Sequence, residues 1–193
     1  MASIVGTYEH QNMSGARKLV FTPTRGASNW LWLSVFVIFL DQATKAWVSG
    51  ALDLYDSVEV LPVLDITLLH NTGAAFSLLA NAGGWQRWFF ILLGIGVSLL
   101  LMAWLRRIRT PEQTVLALGL SLVLGGALGN VIDRVWHGYV VDFIHVHWKD
   151  WYFPAFNVAD SAITIGAACL LIDAFFEGRH KEKAEARNRA KAP

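Results

Sequence analysis

Four sparsely charged stretches of the chain come close to the length that crosses a bilayer. They are Trp30–Val48, Trp88–Leu105, Thr114–Ile132 and Phe156–Phe176, with 19, 18, 19 and 21 residues. A helix needs roughly 20 residues to traverse the hydrocarbon core, so each can span it. Composition agrees: 54% of residues are hydrophobic and 16% charged, and a soluble globule of 193 residues has too little interior to hide that much apolar surface. The expected fold class is membrane α-helical, a four-transmembrane-helix bundle. The first run is interrupted by Asp41 and Lys45, and it starts too late and ends too polar for a cleaved signal peptide.

The basic residues orient the bundle. Arg17, Lys18 and Arg25 precede the first run, Arg106, Arg107 and Arg109 follow the second, and six more follow Gly178, so 12 of the 16 Lys and Arg fall on one side. By the positive-inside rule both termini are cytoplasmic. Residues 1–29 read as a flexible leader, 30–177 as a single membrane domain and 178–193 as a charged cytoplasmic tail able to extend the fourth helix. The outer segments are then 49–87 and 133–155. Within them Ser57–Leu69, broken by Pro62, and Gly138–Trp148 have strand character. A small β-rich platform on the outer, periplasmic surface is expected. Trp85, Trp88, Trp136, Trp148 and Trp151 gather near it as an interfacial belt.

The net charge of +1 is not gathered into a basic patch with interleaved aromatics, so nucleic acid is not an expected partner; membrane lipid is. The single cysteine, Cys169, excludes an internal disulfide and a multi-cysteine metal site.

This topology brings several acids to one depth. Asp160, fifth in its run, lies roughly 6 Å inside the outer end, and Asp41 roughly 10 Å inside its own. Asp133 and Arg134 close the third run, with Asn130 one turn deeper. A charge at the bilayer centre costs about 2.5–3.5 kcal/mol on insertion scales, so acids gathered at one level argue for a polar cavity between helices. Asp41 and Lys45, four apart, share a helix face and can pair as structural support. Asp142 and Asp160 have apolar flanks and no basic residue at helical spacing. Facing each other in a poorly solvated site, they would share one proton, as an aspartic-protease pair does; spacing alone leaves this beside the plainer reading of two independent interfacial acids.

Five motifs occur in order: FLDQATK (Phe39–Lys45), HNTGAAFS (His70–Ser77), GGALGNVIDR (Gly125–Arg134), VVDFI (Val140–Ile144) and FNVADSAI (Phe156–Ile163). Together they resemble lipoprotein signal peptidase, or signal peptidase II, an aspartyl protease of the bacterial inner membrane, over roughly residues 30–177. The resemblance implies a diacylglyceryl-modified prolipoprotein substrate cut just before its lipidated cysteine, sensitivity to the family's cyclic peptide inhibitors, and no metal or other cofactor. It assigns catalysis to Asp142 and Asp160. Asn71, Gly73, Asn130, Arg134 and Asn157 match polar or close-approach positions around the site, and Asp41 and Lys45 a supporting first-helix motif. Asp133 is the rival acid. The small-residue stretches GALGN and NTGAAF are expected to admit the backbone of the bound peptide.

Three other classes compete. A proton-coupled transporter wants polar residues through the whole membrane thickness, and runs two and three contain no charge. A metal-dependent hydrolase draws on His145 and His147, with His137 and His70 nearby, yet strand alternation points Asp142 away from His145 and His147. A non-enzymatic scaffold would be indifferent to loss of Asp142 or Asp160.

Overall fold

The computed structural model describes residues 27–73, 83–108 and 113–189; most of the expected leader, the AAFS part of the second motif and Arg109 lie outside these. A short 3-10 turn, Ala27–Trp30, leads into α1 (Leu31–Ala51). Helices α2 (Trp85–Leu105), α3 (Thr114–Trp136) and α4 (Val158–Arg189) follow. All four expected runs become helices long and apolar enough to cross a membrane, the fourth over Val158–Phe176.

The helix ends differ from the sequence expectation for identifiable reasons. α3 continues a turn past Ile132, which carries Asp133 and Arg134 on the helix rather than into the outer segment. It stops at a left-handed glycine, Gly138 with φ 87°, immediately after His137, whose N–H donates to Asp133 O at 2.7 Å. α4 begins at Val158 because Asn157 caps it: Asn157 Oδ1 accepts the Asp160 N–H at 2.9 Å. The charged tail extends α4 as a helix to Arg189.

Helix α3 is central. About 61% of its apolar window is buried, against 17–28% in the other three. Glycines allow that crowding. A Cβ on Gly129 would sit 2.7 Å from Asp41 Oδ2, and one on Gly126 would overlap Ala159 O, so α1 and α4 approach the α3 backbone more closely than any side chain permits. Gly125 likewise faces Val37 and Ser34. The small residues of GALGN therefore serve helix packing, a correction to the expectation that they receive a bound peptide. Ser34 Oγ donates to Ser121 O at 2.8 Å across the α1–α3 contact.

The expected platform is a four-stranded antiparallel sheet in the order β1-β2-β3-β4. β1 (Ser57–Leu61) and β2 (Leu64–Asn71) form a hairpin across Pro62 and Val63. β3 (Val140–Trp148) and β4 (Trp151–Tyr152) form another, turning through Lys149 at φ 55°. The hairpins come from the α1–α2 and α3–α4 connections and join where β2 pairs with β3, Leu69 opposite Asp142 and Asn71 opposite Val140. Val48, Leu68, Val141 and Phe143 form the small core between sheet and helices. The five belt tryptophans are all exposed.

Candidate active site

β3 and the start of α4 are stitched together just before the helix. Phe156 O accepts the N–H groups of Phe143 and Ile144, and Phe156 N–H donates to Ile144 O at 3.0 Å. Asn157, the next residue, consequently lies beside Asp142, and Asp160 follows one helical turn on. Asn157 Nδ2 donates to Asp142 Oδ1 at 2.7 Å. From the other side Asn71, a diagonal neighbour across the β2–β3 ladder, donates to Asp142 Oδ2 at 2.9 Å. Asn130 of α3 donates to Asp160 Oδ1 at 2.8 Å. Three asparagines thus present N–H groups to the two carboxylates.

Asp142 is buried, and burial pushes its carboxyl up to about 7. The nearby Asp160 pushes the same way, while the amide donors of Asn71 and Asn157 oppose it. Both acids line a cavity of about 610 Å³ together with Asn71, Asn130 and Arg134. The remaining wall is largely apolar and comes from Val140, residues 153–156 and the first turns of α4, including Ile163 and Ile165. A hydrophobic slot with two carboxylates at its polar end can hold an extended peptide and activate water against it.

Arg134 lies over the Phe90 ring at 5.0 Å and donates to Gly73 O at 2.8 Å, while Gly73 N–H donates to Asn71 Oδ1 at 3.0 Å. These contacts fix the strand end that supplies Asn71.

Asp41, Lys45 and Asp133 lie behind this wall. Lys45 Nζ sits 2.8 Å from Asp41 and 2.9 Å from Asp133, so the expected i,i+4 pair is present but extends to a third residue. Asp41 also accepts the Ala159 N–H at 2.9 Å, and Asp133 accepts the Val141 N–H at 3.0 Å. The rival acid thereby tethers the strand that carries Asp142 and does not line the cavity. Two contributors were missed at the sequence level. Gln42 donates to Asp133 at 2.8 Å; its place between two motif residues is the only signal. Arg87 donates to the carbonyls of Arg134 and Val135 at 2.8 Å each, capping α3 from α2.

His145 and His147 flank Tyr152 on the sheet, and His147 meets Asp65 at 3.3 Å. Among the described residues, no group of three His, Cys, Asp or Glu side chains is placed to hold a metal ion.

Comparison with known proteins agrees with this architecture. Residues 33–176 match the family model for signal peptidase (SPase) II. The chain is 55% identical over 152 residues to the lipoprotein signal peptidase of Pseudomonas fluorescens, covering 78% of this chain and 89% of that one. It is 49% identical over 156 residues to that of Shewanella piezotolerans, covering 81% and 91%. A solved structure of a bacterial membrane enzyme superposes with a TM-score of 0.71 at 34% identity, covering 80% of this chain and 92% of that one. The matched stretch contains all but the first two residues of the four spans, the sheet and every polar residue of the cavity, and the chain belongs to the signal peptidase II family of aspartic-type membrane peptidases.

Proposed function

We propose that Asp142 and Asp160 are the catalytic pair of an endopeptidase that cuts diacylglyceryl-modified prolipoproteins just before the lipidated cysteine. The observation that carries this reading is the convergence of both carboxylates, each bound by an asparagine amide, on one largely apolar cavity. Two close acids in such a place share a proton, and their titration belongs to the pair. The ionised member takes a proton from a water held between them. The protonated member gives its own to the scissile carbonyl oxygen as the hydroxide adds to carbon. As the tetrahedral species collapses and the C–N bond breaks, the acid that took the water proton gives it to the leaving amine, and the other takes a hydroxyl proton back, which restores the pair with no metal or cofactor required. Asn71, Asn130 and Asn157 orient the carboxylates, and Asn71, Asn130 and Arg134, which line the cavity, hold the substrate backbone, while Gly73 anchors Arg134.

A diacylglyceryl substrate stays in the bilayer, so its scissile bond lies near the interface. Both termini on the cytoplasmic side of the bacterial inner membrane would place this cavity near the outer face, as the distribution of Lys and Arg supports. The domain that does the work is then residues 30–177, with 1–29 and 178–193 dispensable for chemistry. The test is incubation of the detergent-solubilised protein with a diacylglyceryl-modified precursor, read as a gel shift. Cleavage by the parental protein, blocked by the family's cyclic peptide inhibitors and lost in Asp142→Asn and Asp160→Asn, is the expected result. Parental turnover by either variant overturns the assignment of that residue.

A further inference from the structure

The polar cluster behind the cavity contains one cation, and its ammonium is fully engaged. Lys45 is 3% exposed. Its Nζ lies 2.8 Å from Asp41 Oδ2, 2.9 Å from Asp133 Oδ2 and 3.1 Å from Asn130 Oδ1. An ammonium has three N–H donors, and three acceptors meet it. The first two contacts explain why Lys45 is tolerated here. The third does something different, because Asn130 is the residue whose Nδ2 donates to Asp160.

An asparagine amide has a donor end and an acceptor end of almost the same shape, so its orientation is set by its neighbours. Asn130 Oδ1 accepts from Lys45 and, more weakly at 3.3 Å, from Asn157 Nδ2. Turned over, its NH2 would face an ammonium and a second NH2, and its oxygen would face the Asp160 carboxylate. Remove the ammonium, and only the 3.3 Å contact with Asn157 still holds the oxygen end. Asn157 is itself committed to Asp142.

We infer that Lys45 is a positioning residue for the reaction: by occupying Asn130 Oδ1 it turns the Asn130 N–H toward Asp160 and fixes that carboxylate against Asp142. The inference rests on the reading of Asp142 and Asp160 as the catalytic pair. Asp41 and Asp133 are the charged groups in contact with Lys45, and Asp142, Asp160 and Arg134 lie beyond Asn130. The charge of Lys45 also opposes the upward push on the Asp142 carboxyl.

The test compares Lys45→Met with the parental protein on a diacylglyceryl-modified precursor across pH. Expected is a fall in kcat of up to about 100-fold, the scale for misplacing a reacting group, with KM little changed. The pH–rate profile should move toward higher pH, because a cation near the acids is gone. In an Asn130→Ala background the same substitution should add little further loss, since Lys45 then has no amide to orient. Lys45→Met leaves Asp41 and Asp133 uncompensated and can fail to fold. Asp41→Asn/Lys45→Met removes one charge of each sign and is the second variant; it too should lose kcat while remaining folded. A parental kcat in a folded variant, or losses that multiply with those of Asn130→Ala, overturns the inference. Failure of the catalytic pair is read separately: if Asp142→Asn and Asp160→Asn still cleave, that reading falls. If they are inactive while Lys45→Met is parental, only the role of Lys45 falls.

Discussion

Asn157 donates to Asp142 at 2.7 Å while its own carbonyl oxygen accepts the backbone N–H of Asp160 at 2.9 Å. One buried amide thus joins the two acids, serving one as a hydrogen-bond donor and the other as the cap of its helix. Asn157→Asp separates the two services. It keeps a capping oxygen but turns a second carboxylate toward Asp142, so cleavage should fall by at least about 100-fold with thermal stability lowered far less. Asn157→Ala loses both, and should cost about 1 kcal/mol in cap stability as well. Turnover and melting temperature measured on the same preparations check the distinction.

The ionisation of Asp142 predicts a falling limb. With the Asp142 carboxyl pushed up to about 7 by burial and by Asp160, the proposed pair would hold one proton below that pH and lose it above. kcat/KM should therefore decline as pH rises beyond about 7, as followed by initial rates on a lipid-modified precursor. A profile flat to pH 9 would contradict the shared-proton mechanism.

The same shift acts on stability with a definite sign. From the ordinary value of 3.8 up to about 7, the folded state holds a proton on Asp142 that the unfolded chain has released. Stability therefore falls as pH rises through this window, by at most roughly 4 kcal/mol from this one group. Asp142→Asn removes the dependence. The difference in melting temperature between the variant and the parental protein should grow from pH 4 to pH 7 in the variant's favour. A difference independent of pH over that range would refute the linkage.

Gly126 makes a packing prediction with a functional readout. A methyl group there overlaps Ala159 O, one residue before Asp160, and a backbone carbonyl cannot rotate away. Gly126→Ala should cost about 1–3 kcal/mol through overpacking and displace the first turn of α4, lowering kcat along with stability. Gly96→Ala, with open space around its added carbon, is the control and should lower neither.

The four spans were legible in the sequence because length and apolarity alone decide them, and Pro62 marked the break that became the β1–β2 turn. Asp41 and Lys45 were legible as a pair because helical spacing is local. The reach of Lys45 to Asn130 and Asp133 was not, since it crosses from α1 to α3 over more than 80 residues. Helix ends were misplaced where tertiary contacts override local signals: Asp133 and Arg134 remain helical because Lys45 meets the carboxylate and Arg87 takes the last carbonyls. The pairing of β2 with β3, which brings Asn71 to Asp142, has no local trace at all. The role of GALGN was misjudged for a related reason: small residues announce close approach without saying what approaches.

The pairing of β2 with β3 has a mechanical consequence. One strand belongs to the first helical hairpin and the other to the second, so the ladder bolts the two halves of the chain together across the mouth of the bundle. A displacement of either half is therefore passed to the other through the ladder and through the contact of Asn71 on β2 with Asp142 on β3.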